Sequence, residues 1–219
     1  YKNQSFLQAC ANHGSLNLQD AIKILDSIHE NCSVRETVEL INQNIEKFNQ
    51  QLKFVKHELL GAEFLVFASV AETDINKIQS KYSQADCKYF GLILKEIALS
   101  ENLSISPINA LNVASTCGSK SVPKKHAEDL IQDWCTVGYL VQVNDVISFG
   151  PRTVVEFMPF IKQNYPDCVQ DCSLCAKSLF WGVSCGACEN LFHRECIYKY
   201  LIKMSSCPSC KEKWTKRLD

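Results

Sequence analysis

The sequence has no long hydrophobic run and no surplus of either charge. Its longest mainly apolar stretch, Phe64 to Ala71, falls far short of the roughly 18 residues a membrane span needs. A helical transmembrane protein is therefore excluded. Lysine and arginine number 23 against 24 aspartates and glutamates. Divided at Pro166, the first part carries 15 basic and 18 acidic residues, the remainder 8 and 6. Neither part has the bulk basic excess of a nucleic-acid binder, so any such surface has to be a local patch. An initiator methionine is also missing. Tyr1 comes first, as in a fragment or a processed chain, which leaves room for a removed targeting segment.

What is present suits real cores. Hydrophobic residues make up 46% and charged residues 21% of the 219, the balance of a globular protein. At roughly 150 residues per domain, the length favours two or three domains over one.

Leu18, Ala21, Ile22, Leu25 and Ile28 recur at helical spacing and predict a helix over about Leu16 to His29. Val34, Val38, Ile41, Ile45 and Phe48 predict a second, with Ser33 as N-cap and Glu36 closing a capping box. Leu52 to Glu58 and Phe64 to Ala71 read as a hairpin about a Leu-Leu-Gly-Ala turn. The order then recurs. Helices are expected over about Cys87 to Leu99, Ser106 to Ala114 and Ser121 to Cys135. A hairpin follows, Tyr139 to Val143 and Val146 to Gly150, about Asn144-Asp145. Helices closed by a hairpin resemble a winged-helix domain, here in two copies related by element order and not by sequence identity. Pro151 to Tyr165 reads as a connector helix that Pro159 kinks or ends.

Thirteen cysteines dominate the composition, and eight of them lie in the last 52 residues. Cys10, Cys32, Cys87, Cys117 and Cys135 are scattered singly. An odd count with one dense cluster fits a reducing compartment and a metal site better than a disulfide framework. From Cys172 the pattern is C-x-x-C, nine residues, C-x-x-C, four residues, H-x-x-C, ten residues, C-x-x-C. The eight positions are Cys172, Cys175, Cys185, Cys188, His193, Cys196, Cys207 and Cys210. Zinc takes four tetrahedral sulfur or nitrogen ligands, and a two-residue gap lets both members of a pair reach one ion. Four pairs thus supply two zinc ions. Consecutive pairs sharing an ion give a ribbon; alternate pairs give a cross-brace. Eight protein ligands leave no open coordination position, so the metal is structural and not hydrolytic. The segment is too short for an apolar core, and the metals must supply its folding energy, on the order of 10 kcal/mol per ion. Cys168 reads as a spare thiol at the domain boundary, and His29 with Cys32 lacks a second pair nearby.

The spacing resembles a RING or PHD finger, in which the cross-brace is the rule. That resemblance implies one zinc on Cys172, Cys175, His193 and Cys196, and the other on Cys185, Cys188, Cys207 and Cys210. Pro208 gives the C-P-S-C of RING fingers that dock ubiquitin-conjugating enzymes, and Leu174 and Tyr200 stand at the other two places of that apolar groove. Lys211 sits where some RING ligases place a basic residue that steadies bound ubiquitin. PHD fingers usually carry an aromatic where this chain has Ser205. The plainer reading makes Leu174 and Tyr200 core filling and Pro208 a turn former. Trp181 is either one wall of a histone-peptide cage or a packing residue.

Tandem winged helices ending in a variant RING are a rare combination. With Asn164-Tyr165-Pro166-Asp167, the zinc spacing, C-P-S-C and Trp214, the chain resembles the non-SMC element 1 family. That family is the RING-like subunit of the five/six-type structural-maintenance-of-chromosomes complex. The expected architecture is α+β: a first winged-helix domain over 1–72, a second with its connector over 73–166, and a two-zinc cross-brace variant RING over 167–219. The resemblance implies a partner-assisted ubiquitin ligase subunit in DNA repair and recombination, nuclear and chromosome-associated. It also implies winged-helix binding to a MAGE-type partner (non-SMC element 3), and a kleisin subunit (non-SMC element 4) nearby. The alternative is a zinc-stabilised interaction module without enzyme activity, and behind it a PHD-like histone-tail reader. Direct DNA binding is expected to be weak or absent. Lys120, Lys124 and Lys125 share their helix with Glu128, Asp129 and Asp133, and the first repeat offers Glu36, Glu39 and Glu46.

Overall fold

The computed structural model describes residues 2–29, 31–69, 81–117 and 122–218. Two successive units each run helix, strand, helix, helix, strand, strand. The first comprises α1 (Lys2–His13), β1 (Ser15–Asn17), α2 (Leu18–Ile28), α3 (Val34–Ile45), β2 (Gln50–His57) and β3 (Ala62–Ser69). The second comprises α4 (Gln84–Leu99), β4 (Ser104–Ile105), α5 (Pro107–Ala114), α6 (Lys124–Thr136), β5 (Leu140–Val143) and β6 (Val146–Phe149). Both sheets are antiparallel and three-stranded with the last strand in the middle, β1-β3-β2 and β4-β6-β5. The winged-helix order therefore occurs twice. The expected boundary between residues 72 and 73 lies outside the described residues, as do Tyr1, Val70, Ala71, Lys120 and Ser121.

The differences from the sequence reading have local causes. Helix α1 buries Phe6 and Cys10, a single i,i+4 pair and too thin a stripe to read as periodicity. Helix α2 begins at Leu18, because Leu16 is used to pair with Leu65 in the sheet and Asn17 accepts the Gln19 N–H at 3.0 Å as N-cap. Ser33 caps α3 as read, its Oγ accepting the Glu36 N–H at 3.5 Å, but the Glu36 carboxylate makes no described return bond to close the expected box. A complete capping box forms at α4, between Ser83 and Asp86. Asn144 and Asp145 both take left-handed backbone, φ 49° and 61°, as a two-residue hairpin turn of the primed kind requires.

Each unit has its own core. In the first, α3 presents Val38, Ile41 and Ile45 to Leu25, Leu52 and Leu65. The second core is aromatic: Phe90 lies 5.0 Å from Trp134 and 5.4 Å from Tyr139, ring centre to ring centre.

The stretch read as a connector does more than connect. It forms two helices, α7 (Pro151–Glu156) and α8 (Met158–Asn164), broken at Phe157. Pro159 falls in the first turn of α8, where a missing N–H costs nothing. Phe157 and Ile161 are buried in the second core, while α7 packs against β2 and β3 of the first unit. The seam is close. A Cβ on Gly138, at φ +85°, would stand 2.4 Å from the Ser15 Cβ, so only glycine fits there.

The finger follows with β7 (Gln170–Asp171), β8 (Ser178–Leu179), β9 (Val183–Ser184), β10 (Leu191–Phe192) and α9 (Arg194–Leu201). Its apolar core is little more than Leu179, Phe192 and Ile197 with the sulfurs around them. Among the described residues no helix is long and apolar enough to cross a membrane.

Candidate metal centre

Three C-x-x-C turns share one backbone device. The residue after each second cysteine, Ala176, Glu189 and Lys211, is left-handed at φ 56°, 59° and 66°. Its N–H returns to the carbonyl of the first cysteine, at 2.8, 3.1 and 3.0 Å. The turn also aims backbone N–H groups at sulfur: Ala187 to Cys185 and Ser209 to Cys207, both at 3.4 Å. The N–H groups of Ala187 and Cys188 pull the Cys185 thiol down to about 7. Burial opposes ionisation of Cys172, yet the N–H groups of His193, Leu174 and Cys175 bring it down to about 6. Burial and the crowding sulfurs of Cys175 and Cys172 hold Cys196 up at about 12. Three thiols this close in one group, and four in the other, cannot all ionise without a cation among them.

The ligand atoms gather in two groups: Cys172, Cys175, His193 and Cys196, and Cys185, Cys188, Cys207 and Cys210. Within each group all lie within 4.8 Å of one another. Of the ribbon and the cross-brace, the chain makes the cross-brace: first pair with third, second with fourth. Sulfurs tetrahedral about a zinc at 2.3 Å stand about 3.8 Å apart, and a sulfur–nitrogen edge measures about 3.6 Å. Cys185 to Cys210 and Cys188 to Cys207 are each 3.8 Å. His193 Nδ1 lies 3.3 Å from the Cys175 sulfur and 3.8 Å from that of Cys196. The residues therefore fit two four-coordinate ions of zinc's size and softness.

The far side of His193 holds what the sequence reading missed. Its Nε2 faces Glu58 Oε1 at 3.3 Å, and Glu58 belongs to the hairpin turn of the first winged helix. Glu58 Oε2 also accepts the N–H groups of Phe180 and Trp181, at 3.0 and 2.7 Å. Burial raises its carboxyl, against the pull of those N–H groups and of His193. Next to it His57 is buried, its Nδ1 taking the Leu60 N–H and its Nε2 bonded to the Phe149 carbonyl at 2.8 Å. Burial lowers its pKa. Trp181 packs over His57 at 5.1 Å between ring centres, the packing role rather than a cage wall. Lys56 pairs with Glu195 of α9. A partner 135 residues away in sequence leaves no periodic signal, so Glu58 was not legible.

The other singled-out residues divide. Leu174 is 37% exposed and stands outside the finger's core. Tyr200 packs against that core, half-buried, and Pro208 is half-buried beside the last pair. Exposed Tyr198 on α9 and Ile202, which caps its C-terminus, were not legible because short helices give few repeats of a stripe. Lys211 Nζ donates to the Pro208 carbonyl at 2.8 Å. Cys168 packs against the second core, as a spare thiol should. Lys124 and Lys125 are exposed beside equally exposed Glu128 and Asp129, so the described part of this helix surface carries both signs of charge.

Comparison with known proteins gives the fold a lineage. The family model described as Nse1 non-SMC component of SMC5-6 complex matches residues 3–157. The chain belongs to the Nse1 family. The model's match spans both winged-helix units, and whole-chain relatives carry the likeness on through the finger. The non-structural maintenance of chromosomes element 1 homolog of Drosophila melanogaster is 32% identical over 97% of this chain and 94% of its own length. Its Xenopus tropicalis counterpart is 29% identical over 97% of this chain and 82% of its own length. A chain of the solved Nse1-Nse3-Nse4 complex superposes with a TM-score of 0.79 at 25% identity, covering 99% of this chain and 97% of that one.

Proposed function

We propose that this Nse1-family chain is a RING-type ubiquitin ligase subunit of the SMC5-6 complex, nuclear and chromosome-associated, serving DNA repair and recombination. Two zinc ions hold the finger, one on Cys172, Cys175, His193 and Cys196 and one on Cys185, Cys188, Cys207 and Cys210. Zinc supplies rigidity there, since every coordination position is filled by the chain. The observation that carries the reading is the cross-braced pair of four-ligand groups with Leu174 exposed at its edge. Catalysis of this kind needs no nucleophile on the ligase. Leu174, Tyr200 and Pro208 hold a ubiquitin-conjugating enzyme, and Lys211 steadies its ubiquitin, so that the thioester rests in a reactive conformer. The winged helices bind a MAGE-type Nse3 subunit, with the Nse4 kleisin beside it. The solved Nse1-Nse3-Nse4 complex supports this partnership.

Titration of unlabelled conjugating enzyme into the isotope-labelled zinc-loaded chain tests the docking face. Amide signals of Leu174, Ser209 and Lys211 move, and those of the winged helices do not. Silence at these signals across a panel of conjugating enzymes favours the second reading, a non-enzymatic module that stiffens the complex. The half-burial of Tyr200 is the observation on that side.

A further inference from the structure

The first winged helix reaches into the finger beside its three-sulfur, one-nitrogen group. Three consecutive residues at the end of β2 and the start of its turn reach across the molecule. Lys56 pairs with Glu195, His57 stacks on Trp181 and bonds to Phe149, and Glu58 reaches the finger. Glu58 is not a loose surface contact. One oxygen is fixed by two backbone N–H groups, from Phe180 and Trp181 in the stretch between the first and second ligand pairs. The other is thereby aimed at His193 Nε2, 3.3 Å away. His193 turns Nδ1 toward the sulfurs of Cys175 and Cys196, so the ring nitrogen left over is the one that carries a proton and meets the carboxylate. A carboxylate behind a metal-bound imidazole fixes its tautomer and orientation and strengthens it as a ligand. The second site has no imidazole, and the N–H groups of Ala187 and Ser209 that reach its sulfurs come from the finger itself.

We infer that Glu58 is the outer-sphere partner of the three-sulfur, one-nitrogen site, so that the first winged helix controls how tightly the finger keeps one of its two metal ions. The inference rests on the zinc reading proposed above. It makes Glu58 a positioning residue: it acts through His193 and touches neither enzyme nor ubiquitin. It also makes the two sites unequal in a direction their own ligands do not set.

The test uses the full chain. Zinc content is measured first, then release of each equivalent to a chromogenic chelator, for wild type, Glu58→Ala, Glu58→Gln and Lys56→Ala. Loss of an outer-sphere partner typically weakens a metal site by roughly 10–100-fold. Glu58→Ala therefore releases one equivalent about that much faster, with the other unchanged. Glu58→Gln, which keeps an acceptor but loses the charge, falls between. Lys56→Ala, which breaks an ion pair on the same interface but leaves His193 its partner, releases as wild type. Cobalt substitution supplies a readout that a merely structural role would not move: the bands of the three-sulfur, one-nitrogen site shift in Glu58→Ala while those of the four-sulfur site stay. Wild-type release of both equivalents from Glu58→Ala overturns the inference, and so does equal acceleration of both. A wild-type chain that carries fewer than two zinc ions overturns the zinc reading itself, a result separable from either.

Discussion

Replacing Arg152 by methionine tests how much the buried ion pair of α7 contributes to stability. Arg152 and Glu156 lie one turn apart on α7, with Nε 2.7 Å from Oε1 and side chains only 6% and 4% exposed. Tyr139 donates its hydroxyl to the other carboxylate oxygen at 3.1 Å, and the guanidinium sits 4.4 Å over the Tyr139 ring. Burial already raises the Glu156 carboxyl, and Arg152 is the foremost group pulling it back. Arg152→Met leaves that carboxylate buried without its counter-charge, a loss of about 3–5 kcal/mol for pairs of this kind. A chain of this length shifts its melting temperature by roughly 2–4 °C per kcal/mol, so the expected fall is on the order of 10 °C. The double variant Arg152→Met/Glu156→Leu removes both charges and recovers most of the loss, because an apolar pair of similar volume carries no desolvation penalty. Urea unfolding of zinc-loaded full chains gives both numbers. A single variant within about 1 kcal/mol of wild type, or a double variant no better than the single, would refute the reasoning.

Metal removal with a strong chelator is expected to unfold the finger alone: amide signals after residue 170 collapse while the winged helices keep their dispersion, since each ion supplies on the order of 10 kcal/mol to a segment with so small a core. His57 makes stability fall on acidification. Its folded pKa lies below 6.5, so its contribution is whole above that pH and is lost as the pH falls toward the folded value. The slope reaches at most about 1.4 kcal/mol per pH unit. Urea midpoints from pH 7.5 to 5 show that slope in wild type and not in His57→Gln. Lys211→Gly separates backbone from side chain. Left-handed backbone costs a non-glycine residue about 1 kcal/mol, so the variant holds zinc at least as well. Its ubiquitin discharge from a bound conjugating enzyme still falls, and unchanged discharge removes Lys211 from the ubiquitin contact.

Much of this molecule is written at short range. Val34, Val38, Ile41 and Ile45 mark α3 because a helix buries every third or fourth residue, and the Asn144-Asp145 turn announces its hairpin because few residues accept left-handed backbone. The metal groups were legible for the same reason: each ligand pair is local, and four pairs at such spacing serve few purposes. How the pairs combine was not local, and came from resemblance. Seam residues carried no signal at all. Gly138 reads as a turn and Glu58 as the end of a strand, until folding sets them against Ser15 and His193. The helix α1 was hidden by its polarity, since Phe6 and Cys10 do the burying alone.

The central claim is that the finger drives ubiquitin transfer. Discharge of ubiquitin from charged conjugating enzymes should be timed with the zinc-loaded chain, with and without a MAGE-type partner, beside Leu174→Ala holding the same two zinc ions. The account predicts acceleration by the wild-type chain, stronger with the partner, that Leu174→Ala abolishes. Equal rates for wild type and Leu174→Ala, or no acceleration across a broad enzyme panel with the partner present, would contradict it.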